Sequence, residues 1–266
     1  MLKLAVFGDP VAHSLSPRIH SAFARQLGLA VDYRAIAVPA GQLPAALASF
    51  RADGGSGANL TVPHKQDAVA LCDRLDRAAR QAGAVNTLVA EEEGWHGCNT
   101  DGAGLLLDLD RLGLSIEAAR ILIVGAGGAT AGILGPLLDR RPAAIHLANR
   151  HRERAQALAA RFHGVSAGGF DDLPTDRSFD LLIQATSLGH LGKVPAIEPR
   201  WLQVGAAAYD LNYGQAHRPF AAWCKRQDLP VFSGFGMLLG QAALAFERWT
   251  GQRPDPWALA RLESLN

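Results

Sequence analysis

The sequence has little cysteine and almost no charge imbalance. Only Cys72, Cys98 and Cys224 occur among 266 residues. An odd, sparse set excludes a disulfide framework and fits a reducing compartment, so a cytoplasmic location is expected. No C-x-x-C pair or Cys/His cluster has zinc-ligand spacing, and no metal is expected. Lys and Arg total 26 against 25 Asp and Glu, a net charge of +1. That balance, with 48% hydrophobic residues, excludes a disordered tail and gives no whole-chain reason to expect nucleic acid. The apolar start Met1–Gly8 is too short for a signal peptide and meets Asp9 at once. Ile121–Leu138 runs without a charge, near the length of a membrane span. It holds Gly125, Gly127, Gly128, Gly132, Gly135 and Pro136, so a buried strand turning into a buried helix fits better, and no membrane partner is expected. Neither a coiled-coil pattern nor an apolar surface signal stands out, which leaves monomer or homodimer open.

Strands and helices alternate along the chain. Leu2–Phe7 reads as a buried strand that stops at Gly-Asp-Pro. Ser16 then reads as an N-cap with Pro17 at the first helical position, and Ile19, Ala22, Phe23 and Leu27 share one face. Val31–Val38 is a strand, Leu43–Arg51 a helix, and Gly-Gly-Ser-Gly at 54–57 a turn before the strand Ala58–Val62. Pro63 is expected to open the next helix, and Arg74–Ala82 another. Val85–Ala90 and Trp95–Asn99 flank a four-residue loop, 91–94. Partners in that hairpin should sum to 185, which places Asn86 opposite Asn99 near one end, with Asp101 just beyond.

From Arg120 the pattern restarts. Ile121–Val124, Ala143–Ala148, Phe179–Gln184, Ala206–Leu211 and Leu229–Phe232 read as strands. A helix reaching about Arg140, Glu153–Phe162, Pro219–Arg226, Gly236–Thr250 and Pro256–Leu265 read as helices. This rhythm means an α/β fold with mainly parallel sheets and a domain boundary just after Asp101.

Val-Gly-Ala-Gly-Gly-Ala-Thr at 124–130 joins a strand to a helix. Glycines there permit a tight turn and let backbone N–H groups approach a pyrophosphate. Thr130 stands where G-x-G-x-x-G has its third glycine. The next strand ends in Asn149-Arg150-His151-Arg152-Glu153-Arg154. A carboxylate there would hold a ribose hydroxyl, whereas an arginine fork suits a 2′-phosphate. Cations in a first helical turn also oppose the macrodipole, which suggests a nearby anion. NADP is therefore expected over NAD.

Lys65 raises a similar question. With Pro63 at a helix start, Lys65 falls in the first turn, where the field would disfavour its charge and lower its pKa, as suits an acid/base group. The plain alternative is a lysine pointing to solvent. Asp101 could simply cap the helix 102–112. His13, His20 and His64 form no metal set, and surface or capping roles are expected for them. Ala-Thr-Ser-Leu-Gly at 185–189 lacks the first glycine of a nucleophile elbow and has no evident triad partner.

Taken in order, these segments resemble the shikimate dehydrogenase family over nearly the whole chain. The resemblance rests on 6–17 (Val-Phe-Gly-Asp-Pro-Val-Ala-His-Ser-Leu-Ser-Pro), 57–65 (Gly-Ala-Asn-Leu-Thr-Val-Pro-His-Lys), 83–87 (Gly-Ala-Val-Asn-Thr) and 99–102 (Asn-Thr-Asp-Gly). The 125–129 turn, Asn149-Arg150, Gly236-Met237-Leu238 and Gln241 complete it. It implies an N-terminal α/β substrate domain, 1–101, to which 237–266 return. It also implies a Rossmann-like NADP-binding domain, 102–236, with a substrate cleft between the two. The implied reaction is reversible NADP-linked reduction of 3-dehydroshikimate to shikimate, in aromatic amino acid biosynthesis. Lys65 and Asp101 would form the catalytic pair. Ser14 and Ser16 would bind the substrate carboxylate, and Thr61, Asn86, Asp101, Tyr213 and Gln241 its ring groups. Gly125, Ala126, Gly127, Gly128, Ala129, Asn149, Arg150 and Arg154 would bind NADP. Thr186, Ser187, Leu211 and Gly234 would lie along its nicotinamide half. The chain departs from the family pattern at Cys98, His151, Gln184, Asn212 and Ser233. A paralogue acting on quinate or an amino analogue is the alternative, and a non-catalytic NADPH-binding sensor a more distant one.

Overall fold

Leu4, Ala5, Val6 and Phe7 are all buried, so the N-terminal run forms a strand covered on both faces. Ala5 and Phe7 join one apolar cluster, Leu4 and Val6 another, as the period of two in a strand requires. This is β1 (Leu2–Gly8) of a computed structural model that describes residues 1–173 and 178–265, with side chains as far as 260. The described residues form two units, Met1–Gly104 with Leu239–Ala260, and Leu105–Leu238 with 261–265.

In the first unit β1 is followed by α1 (Ser16–Leu27), β2 (Val31–Ala37), α2 (Leu43–Ala52) and β3 (Gly55–Leu60). Then come β4 (Arg74–Leu75), α3 (Arg77–Ala82), β5 (Thr87–Glu91), β6 (Gly94–Cys98) and the start of α4 (Asp101–Leu112). The sheet runs β2-β1-β3-β5-β6-β4. Pairs β1–β2, β1–β3 and β4–β6 are parallel, and β3–β5 and β5–β6 antiparallel. The hairpin register is the one expected: Thr87 faces Cys98 and Glu91 faces Gly94, each pair summing to 185.

The second unit holds β7 (Arg120–Val124), α5 (Gly128–Asp139), β8 (Ala144–Ala148), α6 (Arg152–Ala159), β9 (Val165–Gly168) and β10 (Phe179–Gln184). β11 (Leu202–Asp210), α7 (Arg218–Arg226), β12 (Val231–Ser233) and the start of α8 (Phe235–Thr250) follow. Its sheet is parallel throughout, in the order β12-β11-β10-β7-β8-β9. Read from the other edge, this is the doubly wound dinucleotide-binding order, whose switch point lies between β7 and β10. Ile121 and Ile123 pack into one cluster, Leu122 and Val124 into the other, which explains the unbroken apolar run. No helix among the described residues is long and apolar enough to cross a membrane.

Several local expectations give way. Ser16 is the first helical residue of α1 rather than its cap, because Ser14 Oγ, two residues earlier, accepts the Ser16 N–H at 3.3 Å. No helix begins at Pro63. His64 N–H donates to Thr61 O at 2.9 Å, so Pro63 sits third in a tight turn, and only a short 3-10 segment, Asp67–Leu71, follows. Residues 74–82 split into β4 and α3, because the Asp76 carboxylate caps Ala79 N–H at 2.7 Å and starts the helix there. Gly55 and Gly57 lie inside β3 rather than in a turn. A Cβ on Gly57 would meet Trp249 Nε1 at 2.2 Å, so the glycine makes room for an indole lying on the strand. The hairpin loop is two residues long, since Glu91 and Gly94 still pair. Strand β9 was too short and glycine-flanked to show. Pro256–Leu265 is 3-10 rather than α-helical; Asn266 lies outside the described residues.

His20 is fully buried, not superficial. Its ring stacks on Tyr33 at 4.3 Å and lies near Phe23, Phe246 and Trp249. Neither ring nitrogen has a hydrogen-bond partner among the described residues. Burial lowers its pKa from 6.5 to about 3. Between those values the unfolded chain binds a proton that the folded chain refuses. Stability is therefore full above about pH 6.5 and declines as pH falls, by roughly 1.4 kcal/mol per unit. Between pH 7.5 and pH 5 the native protein should lose about 2 kcal/mol more, by denaturant unfolding, than His20→Phe, which keeps the ring and removes the proton site. Parallel pH profiles for the two proteins would refute this.

Candidate functional site

The first unit gathers short polar side chains where β3, β5 and β6 end. Lys65 lies in the turn after β3. Its carbonyl accepts Val85 N–H at 2.7 Å, and His64 beside it donates Nε2–H to Val38 O at 2.7 Å. His64 is thus a buried brace for the turn, which corrects the surface role expected of it. Lys65 Nζ reaches Asp101 Oδ2 at 2.6 Å. The Lys65 side chain is 22% exposed and that of Asp101 is 7% exposed. Asp101 opens α4 without acting as its cap; Asn99 Oδ1 takes the Asp101 N–H at 3.1 Å and leaves the carboxylate free for Lys65. With no helix at Pro63, no helix-start field acts on Lys65. Its partner in this site is a carboxylate.

Asn86 is the hub of the arrangement. Its Nδ2 donates to Asp101 Oδ1 at 2.7 Å and to Thr100 Oγ1 at 2.9 Å, and lies 3.4 Å from Gln241 Oε1. Its Oδ1 accepts from Thr100 N at 2.9 Å and from Thr87 Oγ1 at 2.8 Å. Behind it, Asn59 Nδ2 donates to Asn86 O and to Thr87 Oγ1, both at 3.2 Å, and Tyr33 OH donates to Asn59 Oδ1 at 2.7 Å. Burial pushes the Tyr33 pKa well above the usual range, so the hydroxyl stays a donor. A continuous chain of bonds thus runs from Tyr33 through Asn59 and Asn86 to Asp101 and Lys65.

The structure therefore brings Lys65, Asn86, Asp101 and Gln241 together directly. Ser14 adjoins Ser16. Thr61 is held at the end of β1 by its N–H on Phe7 O at 2.9 Å. Tyr213 belongs to the second unit, edge-on to Phe235 with centroids 6.3 Å apart. Sequence reasoning gave no role to Tyr33, Asn59, Thr87 or Thr100. The available signal was a polar residue inside an apolar strand, as in Ala58-Asn59-Leu60, because a buried polar group needs a partner.

In the second unit the glycine turn follows β7. Gly125 has φ +116°, and a Cβ on it would lie 2.9 Å from the Ala185 carbonyl carbon. Gly127 and Gly128 face open space instead, and no side chain caps α5 at Gly127. An uncapped helix start beside open glycines suits a pyrophosphate. Thr130, in the place of the third glycine, is buried and donates Oγ1–H to Gly125 O at 2.9 Å, which ties the turn. At the end of β8, Arg152 pairs with Asp172 at 2.8 Å. Arg150 and Arg154 are exposed, and among the described residues neither has a carboxylate partner. Asn149 Nδ2 donates to His151 O at 2.9 Å and shapes the loop that carries them. These residues fit an anionic dinucleotide with a 2′-phosphate. Among the described residues no cluster of His, Cys, Asp or Glu could hold a metal ion.

Family models described as the shikimate dehydrogenase substrate binding domain, shikimate/quinate 5-dehydrogenase and the shikimate 5′-dehydrogenase C-terminal domain match residues 6–88, 108–192 and 234–256. The shikimate dehydrogenase (NADP(+)) of Alcanivorax borkumensis is 46% identical over 257 residues, covering 94% of this chain and 92% of its own. The shikimate 5-dehydrogenase of Thermus thermophilus, solved with NADP(H) and shikimate, superposes with a TM-score of 0.88 at 36% identity, covering 100% of this chain and 99% of its own. A 5-ketofructose reductase of Gluconobacter reaches the same TM-score at 29% identity, covering 100% and 99%, so the fold alone does not name a substrate.

The two kinds of glycine should behave differently. Gly125→Ala forces a side chain into the left-handed region and against backbone, and should lower Tm by several degrees. Gly127→Ala should leave Tm within about a degree, since its Cβ meets nothing. Thermal melts of both variants check this; equal destabilisation would show the open face to be filled.

Proposed function

Because the chain belongs to the shikimate dehydrogenase family, we propose that it catalyses the reversible NADP-linked reduction of 3-dehydroshikimate to shikimate. The observation that carries this reading is the Lys65–Asp101 pair at 2.6 Å, bordered by the amides of Asn86 and Gln241. NADPH, when bound, supplies a hydride to the ketone carbon. The substrate oxygen gains negative charge in that step, and Lys65 Nζ gives it a proton; in the reverse direction Lys65 takes the proton back. Asp101 Oδ2 fixes the direction of Nζ, and its Oδ1 is held by Asn86 so that the carboxylate cannot swing away. The 22% exposure of the Lys65 side chain lets water restore the proton after each turnover.

A ring with a carboxylate and several hydroxyls needs short donors and acceptors in fixed places. Ser14 and Ser16 suit the carboxylate, and Thr61, Asn86, Asp101, Gln241 and Tyr213 the ring groups. The region 1–101, with the returning C-terminal segment, takes the substrate role, and 102–236 the NADP role. The pyrophosphate falls to Gly125, Ala126, Gly127, Gly128 and Ala129, and the 2′-phosphate to Arg150 and Arg154 with Asn149 shaping their loop. Thr186, Ser187, Leu211 and Gly234 serve the nicotinamide half. The same reading places the protein in the cytoplasm, as a monomer or homodimer acting on small molecules without nucleic acid or membrane partners. Three free cysteines and a net charge of +1 support it.

Lys65→Ala should cut shikimate-dependent NADPH formation by about 10²- to 10⁴-fold while leaving NADPH affinity nearly intact. Undiminished turnover would sink the mechanism. Cofactor choice has its own test. Arg150→Ala and Arg154→Ala should each raise the KM for NADP⁺ about tenfold and leave that for NAD⁺ unchanged, since a charge-assisted phosphate contact is lost. Arg152→Ala, whose guanidinium already serves Asp172, should change neither much. An equal effect of all three arginines would overturn the assignment.

A further inference from the structure

Asp210 is a fully buried carboxylate with no part in the proton transfer above. It ends β11 and pairs across the parallel ladder with Gln184, the end of β10, itself only 1% exposed. Asp210 Oδ1 accepts from Gln184 Nε2 at 3.2 Å, from Asn212 N at 3.0 Å and from Asn212 Nδ2 at 2.9 Å. Its Oδ2 accepts from His217 Nδ1 at 3.0 Å. The far ends of these amides converge on one residue. Gln184 Oε1 accepts the Thr186 N–H, and Asn212 Nδ2 donates to Thr186 O at 3.0 Å. Both polar groups of the Thr186 backbone are therefore held by side chains that rest on Asp210.

The same carboxylate reaches the next two loops. Asn212 O accepts Gly234 N–H at 2.9 Å, and Leu211 N–H donates to Gln184 O at 2.8 Å. A Cβ on Gly234 would lie 2.3 Å from Leu211 O, so that loop comes down on the carbonyl with nothing between. We propose that Asp210 is a positioning residue for the nicotinamide end of the cofactor, fixing Thr186, Leu211 and Gly234 through Gln184 and Asn212. The inference rests on the reading that this unit binds NADP. Its physical core is that an ionised carboxylate only accepts hydrogen bonds. Gln184 and Asn212 must therefore turn their NH₂ groups inward, and Gln184 has its oxygen left for Thr186. An amide at position 210 either sets one N–H against another or forces His217 to give up its Nδ1 proton, and in both cases the charge that orders these donors is lost. Gln184 and Asn212 are both departures from the family pattern, so this arrangement belongs to this chain's own residues.

The test compares two ligands on the full-length protein: NADPH, followed by fluorescence titration, and 2′-phospho-ADP-ribose, which lacks nicotinamide, followed by calorimetry. Asp210→Asn should weaken NADPH about tenfold, the loss of a charged hydrogen bond, and leave the fragment within about twofold. In turnover, kcat should fall with the KM for shikimate unchanged. Asn212→Ala, which keeps the Asp210–His217 pair, should change the ratio of the two affinities in the same direction, and covers the case in which Asp210→Asn does not fold. Equal weakening of both ligands, or no change in either, would overturn the positioning role. A native protein that binds neither ligand would instead overturn the assignment of NADP to this unit.

Discussion

A carboxylate can sit almost out of water only when each of its oxygens is answered, and Asp101 meets that condition through two neighbours. Lys65 answers Oδ2 at 2.6 Å and Asn86 answers Oδ1 at 2.7 Å. Much of the first unit can be read as what that pair requires. The turn at 61–64 and the His64 brace deliver Lys65. The hairpin register delivers Asn86 opposite the strand end that leads into Asp101. Asn99 takes over the backbone N–H that Asp101 might otherwise have capped. Removing one member would leave the other two with an uncompensated charge or a misdirected amide, which is the expensive way to break a buried pair.

The second unit handles charge differently. Its proposed ligand is anionic, yet the chain carries a net charge of only +1. The parallel sheet resolves this, because it aims a helix start and its N–H groups at the end of β7 without adding any charge. Arg150 and Arg154, just after β8 and without a carboxylate partner among the described residues, are the cations proposed for one more phosphate, while Arg152 in the same run pairs with Asp172. Local placement, rather than overall composition, makes the anion site.

Long-range pattern was legible in the sequence where a single periodicity governed it. The hairpin pairs sum to 185 because antiparallel partners step in opposite directions about a symmetric turn. Phe179–Gln184 matched its strand to the residue because it is apolar on both faces. The failures share another cause, a residue type that serves two local structures. Pro63 suits a first helical turn and a tight turn equally, and the deciding His64 bond to Val38 spans 26 residues. Ser16 suits a helix cap and a first helical position alike. Gly57 looked like punctuation, and the Trp249 ring it admits is far along the chain. The Lys65–Asp101 contact is therefore present, but not for the reason the local pattern offered. Resemblance supplied Lys65 and Asp101, while the helix field invoked for Lys65 does not exist. Tyr33 and Asn59 escaped notice because their use depends on partners that only folding brings together.

Asp101 and Asp210, two of the buried carboxylates, show how a fold can separate a proposed reacting group from a holding one. Both lie at the ends of strands or just beyond, and both orient side-chain amides, because an acceptor-only group leaves an amide one way to point. Asn86 must turn its nitrogen to Asp101 and its oxygen to the Thr100 N–H; Gln184 must turn its nitrogen to Asp210 and its oxygen to Thr186. The difference is solvent. Asp101 keeps 7% of its side chain exposed and is paired with a lysine at 22%, so protons can enter and leave. Asp210 has no exposure and is enclosed by Gln184, Asn212 and His217. A group so enclosed cannot meet a substrate, and whatever it contributes must pass through the backbone it holds still.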